Sequence, residues 1–196
     1  MKWSDINLEK YAAVIELVKA DTTDILQRDI TLLSLITGKS EAEIEAMKID
    51  AFNSLRNDLY SLLSTEVAAK YNKVFKVAGR GYKVAASATE ISATDLMDIS
   101  LLKITPDNLH LKLAEFMAVV AKPYGIISKF QRKLTYQEKV EVFKKHMTAD
   151  IAMGVTLFFW TASTKLLPLM LAYSTRQMQE VTEMVKKMNH VSSSEK

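Results

Sequence analysis

The 196-residue chain contains no cysteine. That removes disulfides, thiolate metal sites and cysteine nucleophiles together, and it suits a reducing compartment. Glycine and proline are scarce as well. There are 5 Gly and 3 Pro, where ordinary usage at this length gives roughly 14 and 10. A turn-rich β architecture needs more of both, so helices are expected to dominate. The beginning of the chain, Met1-Lys2-Trp3-Ser4-Asp5, lacks the basic segment, apolar run and small-residue cleavage site of a secretory signal. A cytoplasmic protein is therefore expected.

Charge of one sign is also missing. The 26 Lys and Arg against 23 Asp and Glu leave a net +3, and the two signs are interspersed, whereas nucleic-acid binders concentrate basic residues on one surface. The densest basic stretches are Lys129 to Lys133 and Lys186-Lys187. Nucleic acid is an unfavoured partner. With 48% hydrophobic and 25% charged residues, the composition is that of a globular domain.

Apolar residues recurring every three or four positions mark most of the chain as helical. A first helix is expected over 7–20 with Asn7 as N-cap, and a second over 24–37 with Gly38 in the left-handed position that ends a helix. Ser40-Glu41-Ala42-Glu43 matches a capping box and opens a third. Asp50 is expected to cap a fourth helix running through Leu63.

The pattern changes at Tyr71. Val74 to Val77 and Tyr82 to Ala86 alternate with period two around Ala78-Gly79-Arg80-Gly81, which predicts a β-hairpin with its turn over 78–81. Ser92 opens a further helix to about Leu102. Thr105-Pro106 is expected to start the next, with Pro106 in the first turn, and Pro123 with Gly125 to end it. Thr135 or Tyr136 begins a helix through His146, and Thr148 caps a strongly apolar one over 151–173. A last, Met-rich helix is expected over 175–188.

The fold class is thus mainly α. The expected organisation is an N-terminal helical unit over 1–66, a hairpin over 67–90, a C-terminal helical unit over 91–190 and a frayed tail over 191–196, all in one compact domain.

The one long hydrophobic run reads as a core helix in preference to a membrane span or an oligomer interface. The segment 151–163 is 13 residues long before Lys165, while a span takes about 20. Extending it to Tyr173 places Lys165 and Pro168 at its centre, where a Lys costs about 2.5–3.5 kcal/mol on insertion. A helix buried in the protein core is the preferred reading.

Catalytic and metal-binding patterns are weak. His110, His146 and His190 are isolated, and core or capping roles fit His110 better than catalysis. Glu41 with Glu45, and Glu138 with Glu141, lie at helical spacing, as solvated helix faces commonly do. Gly79-Arg80-Gly81 lacks the following helix and Gly-Lys-Ser/Thr of a phosphate loop. No cofactor, metal or catalytic residue is assigned, and a non-enzymatic protein is expected.

Leu32 to Met47, a leucine-rich helix ending in Thr37-Gly38 followed by Ser40, acidic residues and another helix, resembles tail assembly chaperones of tailed bacteriophages, particularly those infecting gut bacteria. Trp3 to Leu8, Phe75 to Ile99, Asn108 to Gly125 and Met147 to Phe159 are similar to the same proteins. The long C-terminal helical half departs from the commoner members. The resemblance implies a morphogenesis protein in the host cytoplasm that binds a phage tail or virion protein before assembly, with a structural virion component as the alternative and self-association into a homo-oligomer left open. The residues expected to touch the partner are Phe75, Arg80 and Tyr82 of the hairpin and Met178 and Met184 of the last helix, whose thioethers suit either an adaptable surface or core packing.

Overall fold

The computed structural model describes residues 1–20, 23–69, 71–125 and 132–162. It is mostly helical, with a small antiparallel sheet. The chain divides into a compact unit, Met1–Phe158, and a second, Phe159–Lys196, of which residues 159–162, all helical, are described. The expected helix over 175–188 lies outside the described residues.

In the first unit, helix α1 spans Leu8–Lys19, with the Asn7 side chain accepting from the Lys10 amide. Helix α2, Ile25–Thr37, is capped by Asp24 and ends on Gly38 at φ 77°, a left-handed conformation that glycine adopts without penalty. Helix α3, Glu41–Glu45, carries both halves of the capping box between Ser40 and Glu43. That box holds the Glu43 carboxyl below its ordinary range, chiefly through the Ser40 amide. Helix α4, Ile49–Ser64, begins one residue earlier than Asp50, with Lys48 at the cap position and no side-chain cap. Asp50 sits inside the first turn, where a carboxylate still favours the positive end of the helix dipole.

Strands β1, Val74–Val77, and β2, Arg80–Lys83, pair antiparallel with Val77 opposite Arg80. The turn is therefore two residues long rather than four. Ala78 and Gly79 both have positive φ, 48° and 72°, as required for the turn that matches strand twist. Gly81 belongs to the strand. A Cβ there would lie 2.4 Å from the Tyr124 carbonyl oxygen, and the Tyr124 amide donates to the Gly81 carbonyl at 2.9 Å. This close approach lets Lys122–Pro123 join as a third strand, β3.

Helix α5 spans Ala93–Leu101 behind the Ser92 cap, and α6 spans Leu109–Val120. The second of these starts later than Thr105-Pro106 suggests. The Thr105 amide donates to the Asn108 side chain at 2.8 Å, and the Asn108 amide lies 3.4 Å from the Thr105 hydroxyl. That reciprocal pair closes a turn, and α6 begins after it with Asn108 as N-cap. Helix α7, Tyr136–His146, opens on a capping box of Thr135 and Glu138. Residues 149–158, with Thr148 immediately before them, form the last helix of the unit, α8.

Helices from both sides of the hairpin share one core. Helix α1 packs on α2, α6 and α7, α6 packs on α7, and α7 packs on β1. Val14, Leu32, Leu33, Leu59, Leu113 and Phe143 are fully buried there. The face of α8 made by Ala149, Ala152 and Val155 is also fully buried, while Leu157 is 49% exposed. No described helix is long and apolar enough to cross a membrane.

One buried charge stands in the N-terminal helices. Asp29 is 0% exposed, and its Oδ2 accepts from the Arg56 Nε and the Tyr60 hydroxyl, each at 2.6 Å, which joins α2 to α4. Removing one partner from a buried charge costs several kcal/mol. Arg28 also lies 3.5 Å from Asp29 Oδ1, so Arg56→Ala leaves the carboxylate with the Tyr60 hydroxyl and a long ion pair and is expected to lower unfolding stability by roughly 1–3 kcal/mol, measured by urea titration. Ala78→Asn should raise it by about 0.5–1 kcal/mol, because Asn tolerates the left-handed turn position better.

Candidate functional site

The side chains with the most chemistry converge where the hairpin meets the start of α7. Arg80 leads β2, and its Nη1 donates to the Arg132 carbonyl at 2.9 Å. Arg132 in turn ion-pairs with Glu138, the residue that closes the α7 capping box. The Thr135 amide, and then Arg132, hold the Glu138 carboxyl below its ordinary range. These local contacts fix the approach to α7 against the hairpin.

One turn along α7, the Lys139 ammonium donates to the carbonyls of Ala118 at 2.5 Å and Ala121 at 3.0 Å. It thereby places positive charge at the C-terminal end of α6, where the helix dipole favours it. Burial pushes the Lys139 ammonium down to about 8, Lys122 adds to the shift and Asp95 opposes it. Asp95 itself is raised by burial, but hydrogen bonds from Lys122 and Ser92 outweigh that and leave it low.

Arg80, Arg132, Lys133 and Lys139 surround a cavity of about 300 Å³ whose apolar wall is Tyr82, Pro123 and Leu134. Leu134 and Lys139 also line a wider groove of about 510 Å³, which extends along Leu101, Leu102, Val119 and Tyr136. The two hollows are neighbours, with Leu134 and Lys139 common to both linings. Helix α5 buries none of its side chains fully. Met97 and Leu101, one turn apart on it, are 67% and 75% exposed, and Leu101 forms part of the groove.

Of the residues expected to touch a partner, Arg80 lines the cavity and the edge of Tyr82 forms part of its wall. Phe75 and the rest of Tyr82 are buried. They are 7% and 2% exposed, their rings stack at 6.0 Å, and Tyr82 meets Phe143 edge-on at 5.0 Å. Both are core residues that attach the sheet to α7, because strand alternation turns the aromatic positions inward. Met178 and Met184 lie outside the described residues. So do His190, Lys186 and Lys187.

His110 is buried with its Nε2 against the Glu16 carboxylate, which joins α6 to α1. His146 is exposed in the last turn of α7. Glu41 accepts from Thr31 and Gln27. Among the described residues, no group of three or more His, Asp or Glu could hold a metal. Gly79-Arg80-Gly81 forms hairpin turn and strand.

Lys139, Met97 and Leu101 are the site residues that sequence reasoning passed over. A signal for the last two existed, an apolar pair at i and i+4 on a short helix. Lys139 carried none, since its role depends on the end of a helix 18 residues earlier. The sequence matches no protein-family model, no curated protein and no solved structure.

The depressed Lys139 value has a signed consequence. Unfolded chains keep this proton up to the ordinary value of 10.5, whereas the folded protein releases it near 8. Between those values the unfolded state binds more protons, so this residue's penalty on folding fades as pH rises. In urea unfolding, wild type is expected to gain stability relative to Lys139→Met as pH is raised from 8 toward 10. A pH-independent difference between the two would refute that assignment.

Proposed function

We propose that this protein is a non-enzymatic phage morphogenesis factor that holds a tail protein in the host cytoplasm before assembly, in the manner of the tail assembly chaperones it resembles. The observation that carries the proposal is the groove beside α5, rimmed by the exposed Leu101 and Tyr136 and flanked by Met97. Exposed apolar side chains grouped beside a concavity are what a protein needs to shield apolar surface on another. A helix whose own apolar residues are left outside the core costs little to present them. The occupant is an extended or helical segment of the tail protein.

Co-expression with the tail-tube and tape-measure proteins of the same phage tests this. Wild type is expected to raise the soluble yield of one of them and to co-purify with it. Leu101→Asp, on a side chain already 75% exposed, should abolish capture with helix content unchanged. Mass spectrometry of purified virions should not find the protein in stoichiometric amounts. Its retention there would favour a structural virion component instead, and absence of capture would overturn the chaperone reading.

A further inference from the structure

The basic cavity beside the groove has a charge imbalance that no ion pair among the described residues balances. Among the described residues, four cationic side chains line it, and the one ion pair that reaches it is Arg132 with Glu138. Lys139 is committed to two helix-end carbonyls, and Arg80 spends one N–H on a backbone carbonyl. The remaining guanidinium donors of Arg80 and the exposed ammonium of Lys133 have no carboxylate within ion-pair distance in the described residues. Asp98 lines the groove instead, and Asp95 is engaged by Lys122.

We infer that this cavity is an anion subsite for aspartate or glutamate carboxylates on an acidic-apolar segment of the partner protein, with neighbouring apolar residues of that segment seated in the adjoining groove. Guanidinium groups match carboxylates in planar, two-pronged geometry. The cavity is small, and its wall of Tyr82, Pro123 and Leu134 is apolar, so it suits single side chains rather than a polyanionic backbone. A nucleic-acid surface would require a continuous basic face. Here the basic hollow instead lies beside a groove lined mostly by apolar residues and by Asp98. Complementary charge at such a site selects the partner and sets its register more than it adds affinity.

The inference rests on the protein-binding reading above, and its test is independent of any tail protein. Fluorescence anisotropy is measured with three labelled probes, a peptide of alternating Asp and Leu, one of alternating Ser and Leu, and a single-stranded oligothymidylate. The Asp-Leu peptide is expected to bind about tenfold more tightly than the Ser-Leu peptide, and Arg80→Gln and Lys133→Gln each to remove most of that preference. Lys133 is exposed, so its variant decides the matter if Arg80→Gln is poorly folded by circular dichroism. Equal binding of the two peptides, an undiminished preference in folded Lys133→Gln, or tighter binding of the oligothymidylate overturns the inference. If Leu101→Asp abolishes tail-protein capture while the charge variants change nothing, the subsite falls and the chaperone reading stands. If the peptide preference holds but no tail protein is captured, the reverse applies.

Discussion

The rest of the structure depends on a short stitch between the two ends of the first unit. Asn7 forms an isolated antiparallel bridge with Thr148. Around it, the Leu8 amide donates to the Met147 carbonyl at 2.9 Å, the Ala149 amide to the Ile6 carbonyl at 3.1 Å, and the Asn7 side chain to the Lys145 carbonyl at 2.9 Å. The same asparagine caps α1. One residue therefore ends an extended segment, starts a helix and anchors it beside the junction of α7 and α8. Loop-closure entropy grows only slowly with length, so once the core forms, joining residues 138 positions apart costs little more than a shorter closure. The bridge puts α1 against α6 and α7, and the buried His110 meets Glu16 across the same seam.

Polar groups elsewhere tie elements of the fold together. Asp29 joins α2 to α4, the Trp3 indole donates to the Thr65 carbonyl at 2.9 Å, and Lys139 binds the end of α6. Each replaces water with a partner at a place where an unpaired group would be costly. Tyr71 closes the base of the hairpin by donating to the Ala85 carbonyl and by stacking on Phe158 at 4.3 Å. A small sheet is marginal alone, and these aromatic contacts, with Tyr82 on Phe143, supply the packing it requires. Among the residues still outward are Val74, Lys76 and Lys83 of the sheet, the half-buried Arg80, the approach to α7 and the uncovered face of α5. The proposed recognition surface is part of what is left after the sheet has been secured.

Local chemistry determined much of this in advance. Asn7, Gly38, the Ser40–Glu43 box, Ser92 and the Thr135–Glu138 box mark helix ends through contacts within four residues, and such contacts are written in the sequence. The mainly helical class follows from the same periodicity, and the hairpin from its alternation. Where the reading missed, a short-range alternative competed. Asp50 could cap or sit in a first turn, Thr105-Pro106 could open a helix or a turn, and the four residues 78–81 held two that the strand needed. Only tertiary structure decided which faces are covered. It turned Phe75 and Tyr82 inward and left Met97 and Leu101 outside, gave Asp29 its partners 27 and 31 residues away, and placed Lys139 under a helix end. Those outcomes depend on which surfaces meet across the fold, and neither hydrophobicity nor charge at a single position carries that information.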